Sequence, residues 1–202
     1  MGSSSDAPVG LVIAGGRSQR FGGEKAVALL AGQSLLARAC ARLARGCTAV
    51  AVNVRPGGVG AAEAERLGLV VLDDPPGLAP GPLGGVLAGL RWTATQGAGL
   101  LITLPCDTPL LPDDLVARLI AAASGLSCAV ARTPDGVQSL CAAWSIGLIG
   151  DLEAALADGH HPPVHGFLED HDCGFVDYAE AAGFLNINTP QDLAEAARRL
   201  GA

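Results

Sequence analysis

Short apolar runs alternate with amphipathic segments through the first two thirds of the chain. Val9 to Ala14 predicts a buried strand, and Ser34 to Arg45 predicts a helix whose arginines share one polar side. Further strands are predicted over 48–54, 69–72, 99–104, 127–131, 138–145, 174–176 and 184–187, and further helices over 61–67, 83–94, 112–123, 151–157, 163–169 and 189–200. This alternation predicts βαβ units and a mostly parallel, doubly wound α/β sheet.

Glycines and polar residues fall at the ends of the first four predicted strands. They are Gly15 and Gly16 after the first strand, Asn53 at the end of the second, Asp73 and Asp74 after the third, and Asp107 after the fourth. Ligands of doubly wound sheets bind at the carboxyl ends of the strands. The sequence therefore predicts a single ligand site at that edge.

Composition narrows the class of protein. Half of the 202 residues are hydrophobic, enough for a sizeable core, and the formal charge of −7 argues against a nucleic-acid surface. We find no apolar run long enough to span a membrane and no signal peptide, and the six cysteines form no CxxC pair. We therefore expect a cytoplasmic protein with reduced thiols, a flexible leader over 1–8 and a single domain over 9–202.

The loop VIAGGRSQRFGGEKA, from Val12 to Ala26, carries the clearest chemistry. Its glycines allow a ligand to approach the main chain, and Arg17, Arg20 and Lys25 add positive charge, which suits a polyphosphate. The order of its residues matches neither a Walker A loop nor a GxGxxG fingerprint. The alternative is a glycine-rich turn whose arginines are simply solvated.

Four motifs together resemble one known family. IAGGRSQRFGGEK (13–25) resembles the nucleotidyltransferase pattern LAGGxSxRMGxxK, and GPLGGVLAGL (81–90), LPCDTPLL (104–111) and FLNINTPQDL (184–193) follow in the family's order. The set resembles the molybdenum cofactor guanylyltransferases among the MobA-like nucleotidyltransferases. The resemblance implies a three-layer α/β/α Rossmann-like fold, with a nucleotide-binding half over 9–110 and an acceptor-binding half over 111–202. It also implies transfer of GMP from GTP to molybdopterin, or to its molybdenum-loaded form, with release of pyrophosphate and no covalent enzyme intermediate.

The resemblance assigns roles to particular residues. Lys25 and Arg20 would stabilise charge on the phosphates, and Asp107, which follows a buried strand, would bind Mg²⁺. The expected nucleotide-binding residues are Ala14, Gly15, Gly16, Lys25, Asn53, Asp74, Gly81, Pro82, Leu83, Gly85 and Asp107. Asp73 could replace Asp74, because the register of LDD is uncertain by one residue. Asn186 and Asn188 would lie near the metal and phosphates, on one face of a strand, unless Asn188 begins the turn before the last helix.

The acceptor half departs from the family pattern. Gln138-Ser139 stand where a His-Pro pair is common, and a stretch with His160, His161, His165 and His171 replaces a basic pair. Gln138 and His161 are expected near the acceptor, while a metal site or a solvated loop remains open for the histidines. The alternatives for the whole protein are a CTP-dependent cytidylyltransferase, transfer to another phosphate acceptor, and a non-catalytic chaperone of the cofactor. The partners that the family implies are molybdoenzymes or other cofactor-biosynthesis proteins. We expect no binding to nucleic acid or to a membrane.

Overall fold

Nine strands and seven α-helices form in the part of the chain that the computed structural model describes, residues 7–15 and 25–201. The strands are β1 Val9–Ile13, β2 Leu29–Leu30, β3 Gln33–Ser34, β4 Val50–Asn53, β5 Val70–Leu72, β6 Leu100–Pro105, β7 Cys128–Thr133, β8 Gly136–Ser145 and β9 Cys173–Asp177. The helices are α1 Leu35–Leu43, α2 Val59–Arg66, α3 Pro82–Thr95, α4 Leu115–Ala122, α5 Ile149–Ala155, α6 Val164–Glu169 and α7 Pro190–Arg199. The helix and strand order therefore follows the predicted alternation closely.

Seven of the strands form one sheet in the order β5-β4-β1-β6-β8-β7-β9. The pairs β5–β4, β4–β1, β1–β6 and β7–β9 are parallel, whereas β8 is antiparallel to both β6 and β7. The predicted mostly parallel sheet is thus confirmed. The chain leaves β1 toward β4 and β5 on one side and returns to β6 on the other, which places a topological switch point between β1 and β6.

Each face of the sheet carries its own hydrophobic core, which gives the predicted three layers. Helices α1, α2 and α4 pack on one face through residues such as Leu36, Ala64 and Leu119. Helices α3, α5 and α6 pack on the other face through residues such as Val86 and Leu152. Alternate strand residues point to opposite faces, so the sheet supplies apolar side chains to both cores, for example Val12 to the first and Leu11 to the second. Among the described residues, no helix is both long and apolar enough to cross a membrane.

The final helix is fixed by local hydrogen bonds. Thr189 accepts a bond from the backbone N–H of Asp192, and the Asp192 carboxylate accepts one from the Thr189 N–H, which together form a capping box. Pro190 occupies the first turn, where its missing N–H costs nothing. The predicted start of the closing helix is confirmed, and α7 packs through Ala196 near Leu30 and Ile187.

Two sequence predictions differ from the structure, and one element was not predicted. Residues 184–187 are not a strand, because Phe184 ends a 3₁₀ helix over Ala182–Phe184 and the next residues pair with no strand; the Ile187 N–H donates instead to the Asp107 carbonyl at 2.7 Å. Helix α4 begins at Leu115, not at Pro112, which instead accepts a bond from the Leu115 N–H within a turn. The β2–β3 hairpin was not predicted, and its two-residue turn places Ala31 and Gly32 at positive φ.

Candidate active site

The carboxyl ends of the first four sheet strands lie side by side. Ile13 pairs with both Asn53 and Pro105, and Asn53 pairs with Leu72. The residues that follow these strands consequently leave the sheet at one edge. The predicted convergence of the strand ends is confirmed by this register.

A cleft of about 730 Å³ opens at this edge. Its lining residues are Ile13, Ala14, Gly15, Lys25, Ala26, Asn53, Val54, Arg55, Pro56, Asp73, Asp74, Pro80, Gly81, Pro82, Pro105, Cys106, Asp107 and Leu140. The cleft therefore brings together most of the residues expected to bind a nucleotide. Gly16 and Arg20 were expected there too, and both lie outside the described residues.

Lys25 is the only lysine of the chain and lies at the centre of the polar contacts in the cleft. Its Nζ donates to Asp107 Oδ2 at 3.2 Å and to Asn188 Oδ1 at 2.7 Å. The Lys25 and Asp107 side chains are 14% and 27% exposed, so this ion pair is largely shielded from solvent. Two chain segments far from Lys25 in sequence thus fix the position of its ammonium group.

The Asn188 side chain reaches Lys25 because the backbone around it is held on both sides. The Ile187 N–H donates to the carbonyl of Asp107, and the N–H groups of Asn188 and Thr189 both donate to Asp192 Oδ2 at 2.8 Å. These bonds, the one from Asn188 first, lower the pKa of the Asp192 carboxyl below its ordinary value. Asn186 and Asn188 are both exposed around buried Ile187, but only Asn188 bonds to Lys25 among the described contacts.

The Asn53 side chain connects the end of β4 to the end of β5. Its buried side-chain Nδ2 donates to the Leu72 carbonyl at 3.2 Å and to Asp74 Oδ1 at 2.8 Å. Asp73 instead accepts the backbone N–H of Asp74 at 2.9 Å. The structure therefore brings Asp74, rather than Asp73, onto Asn53, although both carboxylates line the cleft.

The glycines at the start of α3 make room for protein side chains. A Cβ on Gly85 would lie 2.3 Å from Asn53 Oδ1, and one on Gly84 would lie 3.3 Å from Asp74 Cγ. A Cβ on Gly81 would lie 2.1 Å from His161 Nε2. Of the four expected residues on this turn, Gly81 and Pro82 line the cleft, while Leu83 is fully buried and Gly85 supports Asn53.

The two residues expected near the acceptor, His161 and Gln138, lie in different parts of the structure. His161 Nε2 accepts the backbone N–H of Leu83 at 3.2 Å, so its ring lies at the start of α3. Gln138 donates to Thr133 Oγ1 at 3.1 Å, within the β7–β8 hairpin. Leu140, on the same strand as Gln138, is the β8 residue that lines the cleft.

Sequence reasoning missed Arg55, which is exposed and lines the cleft. The available signal was its position two residues beyond Asn53, where the chain leaves the edge of the sheet. Arg55 adds a second cation to a cleft that also holds three carboxylates, those of Asp73, Asp74 and Asp107. A cleft with both signs of charge suits a polyphosphate bound together with a cation.

The oxygen donors of the cleft are few. Among the residues that the structure describes, no group of three or more His, Cys, Asp and Glu side chains could hold a metal ion. The Asp107 carboxylate and the Asn188 carboxamide oxygen nonetheless contact the same ammonium nitrogen, so both face one point. One or two such oxygens fit Mg²⁺, which usually completes its shell with phosphate oxygens and water.

Comparison with known proteins gives a consistent result. The MobA-like NTP transferase domain matches residues 10–172. A molybdenum cofactor guanylyltransferase from Cereibacter sphaeroides is 41% identical, covering 93% of this chain and 94% of its own. One from Acidiphilium cryptum is 40% identical with coverages of 93% and 94%, and one from Rhizobium meliloti strain 1021 is 37% identical with coverages of 96% and 92%.

Solved structures share the fold. Molybdopterin-guanine dinucleotide biosynthesis protein A from Archaeoglobus fulgidus superposes with a TM-score of 0.78 at 21% identity, covering 96% of this chain and 98% of its own. A Mycobacterium tuberculosis protein solved in complex with manganese superposes with a TM-score of 0.62 at 20% identity, with coverages of 96% and 97%. Since the domain match spans most of the sequence and the relatives are similar over nearly their whole length, the chain belongs to the MobA-like NTP transferase family.

Proposed function

We propose that the protein is a molybdenum cofactor guanylyltransferase, which transfers GMP from GTP to the terminal phosphate of molybdopterin or of its molybdenum-loaded form. In this reaction an oxygen of the acceptor phosphate forms a bond to the α-phosphorus of GTP. The bond from that phosphorus to the bridging oxygen of the β-phosphate breaks, and pyrophosphate leaves with the electron pair. The relatives at 37–41% identity are molybdenum cofactor guanylyltransferases, which supports guanosine as the base.

The position of the Lys25 ammonium group is the observation that supports this chemistry most strongly. Nucleotidyl transfer needs positioning and charge neutralisation rather than a covalent intermediate. Lys25 is fixed at the switch point by Asp107 and Asn188, where its charge would lie against the triphosphate. Because its position is set beforehand, little reorganisation is needed when charge develops on the leaving group.

Asp107 is the proposed carboxylate ligand of a divalent cation, and the Asn188 oxygen is its neighbour. When bound, such an ion neutralises charge between phosphate oxygens and helps to orient them. We propose Mg²⁺ as the ion, because hard oxygen donors and phosphates are its preferred ligands. The M. tuberculosis protein solved with manganese supports a divalent ion in this fold.

The remaining cleft residues are proposed to hold the nucleoside. The backbone at Ala14 and Gly15 allows close approach, and Asn53 with Asp74 presents an amide and a carboxylate to the ribose or base. Gly81 and Pro82 line the same cleft. Gly16 and Arg20 are proposed to contact the phosphates on the basis of the sequence motif.

The decisive experiment measures pyrophosphate release with molybdopterin and Mg²⁺, comparing GTP, CTP and ATP. Release with GTP alone is expected. Release with CTP alone would move the protein to cytidylyl transfer, and release that needs another phosphate acceptor would change the acceptor. Tight binding of nucleotide or molybdopterin without any turnover, in folded protein, would favour the cofactor chaperone.

We further propose that the reaction takes place in the cytoplasm and that the product passes to molybdoenzymes or to other cofactor-biosynthesis proteins. Co-purification with such enzymes, lost when the cofactor is withheld, would test the second part.

A further inference from the structure

The start of helix α3 is capped by a side chain from a distant part of the chain. The first N–H groups of a helix have no partner within the helix and usually bond to the side chain of the N-cap residue. Here the N-cap is Gly81, which has no side chain, and Pro82 has no N–H to satisfy. The N–H of Leu83 donates instead to Nε2 of His161, which is 78 positions away in sequence.

Gly81 and His161 fit each other closely. A Cβ at position 81 would lie 2.1 Å from Nε2, so the imidazole occupies the space that an ordinary N-cap side chain would need. Nε2 can accept this hydrogen bond only when it carries no proton, which places the ring proton on Nδ1. His160 and His165, on either side of it in the sequence, are exposed, whereas His161 is half-buried.

The capped turn is also a wall of the cleft. Gly81 and Pro82 line it, and the next residues of the helix pack against Asp74 and Asn53 through Gly84 and Gly85. A shift at the start of α3 would therefore move the surface that faces the nucleoside. His161 comes from the segment between α5 and α6, so it connects the C-terminal half of the chain to that surface.

We propose that His161 is a positioning residue for the nucleotide: its neutral imidazole holds the first turn of α3 against the cleft. This role differs from contact with the acceptor, and it rests on the proposed function. It predicts that loss of the acceptor atom at position 161 weakens nucleotide binding and leaves the chemical step unchanged.

The test compares His161→Ala and His161→Leu with His161→Gln, whose amide oxygen can accept the Leu83 N–H. His165→Ala is the matched control, because His165 lies four residues further along the chain, in α6, and is exposed. The dissociation constant of GTP is measured by calorimetry, and KM and kcat by pyrophosphate release. We expect the Ala and Leu variants to raise the dissociation constant and KM roughly fivefold, the factor that applies when GTP binding must restore an uncapped first turn. We expect kcat to be unchanged and Gln to restore binding.

His161→Leu fills the space of the ring and keeps the measurement possible if the alanine variant does not fold. Wild-type affinity in both apolar variants would overturn the inference, as would a fall in kcat with KM unchanged. A wild-type protein that binds GTP without releasing pyrophosphate would overturn the proposed activity, while the affinities would still decide the role of His161. Failure to bind any nucleoside triphosphate would overturn both.

A double-mutant cycle tests the pairing itself. Gly81→Ala is expected to weaken GTP binding strongly in the wild-type background, because its methyl group collides with the ring. In the His161→Ala background the same substitution is expected to be much milder. Equal effects in the two backgrounds would show that Gly81 is needed for another reason and would overturn the proposed contact.

Discussion

Lys25 is the residue whose removal has the most specific expected effect. Replacing it with alanine removes a preorganised positive charge from the phosphate site, so we expect kcat for pyrophosphate release to fall on the order of 100-fold or more. Arg91→Ala is the control, since Arg91 forms an exposed ion pair with Glu153 on α5. An unchanged rate in the Lys25 variant would transfer the role to Arg20 or to backbone groups.

Asp107 is expected to control the dependence on the metal. Asp107→Ala removes the proposed metal ligand and one of the two partners of Lys25, so we expect turnover to become undetectable at Mg²⁺ concentrations that saturate the wild type. The rate is measured across a Mg²⁺ titration, with circular dichroism to check the fold. Asp113→Ala, which breaks surface ion pairs with Arg42 and Arg45, is the matched variant. Near-normal activity would remove Asp107 from the metal site.

Sequence alone indicated the types of residue at the site better than their contacts. The strand ends identified Asn53 and Asp107, because polar residues after buried strands are easy to recognise, and the glycine-rich loop motif identified Lys25. The choice between Asp73 and Asp74 stayed open, since it depends on a register of one residue that an irregular loop hides. The bond from Leu83 to His161 left no signal, because it joins a glycine-capped helix to a distant segment.

At the scale of elements, the glycines of helix α3 are explained by side-chain packing, since alanine would favour the helix but would collide with a neighbouring residue. Gly85→Ala would place a methyl group 2.3 Å from Asn53 Oδ1 and push that side chain away from Asp74. We expect weaker GTP binding and a lower melting temperature. Gly150→Ala is the matched control, because it lies in α5 with open space around it, and we expect it to be neutral or stabilising by up to about 1 kcal/mol. Equal behaviour of the two variants would contradict the packing argument.

The capping box of α7 gives a prediction on pH. The pKa of Asp192 is lowered in the folded protein by backbone bonds, so its stabilising effect is present above the unfolded pKa. That effect is lost as the pH falls through the folded pKa. We therefore expect the wild type to lose more stability than Asp192→Asn when chemical denaturation is compared at neutral pH and at acid pH below the ordinary aspartate range. Parallel losses in the two proteins would contradict the assignment.

The predicted strand over 184–187 shows why one element was misjudged. Alternation of exposed Asn186, buried Ile187 and exposed Asn188 is real, and it is the usual mark of a strand. Here the Ile187 N–H donates to the Asp107 carbonyl beside the cleft, which holds this peptide extended although it pairs with no strand of the sheet. A period-two pattern over so few residues does not distinguish a strand from a single extended peptide that serves a site.

At the scale of the whole molecule, the cysteines report on global unfolding. All six are unbridged, and burial raises the pKa of Cys40 and Cys106 to about 12. Cys173 is half-buried, and a hydrogen bond from the Cys128 thiol lowers its pKa. We expect a thiol reagent to modify Cys173 first in the native protein, and the buried thiols only at the rate of unfolding. Fast reaction of all six without denaturant would contradict the packed cores.

The contact between Lys25 and Asn188 spans 163 positions of the chain. Because a ribosome builds the chain from its amino end, Lys25 is synthesised long before Asn188. A nascent chain that stops short of position 188 would contain the glycine loop, Asp107 and every strand of the large sheet, yet its lysine would have lost one of the two groups that fix it. On the proposed function, the lysine is fully positioned only once position 188 has been translated, so we expect a chain truncated before that position to lose activity although it keeps every strand of the large sheet.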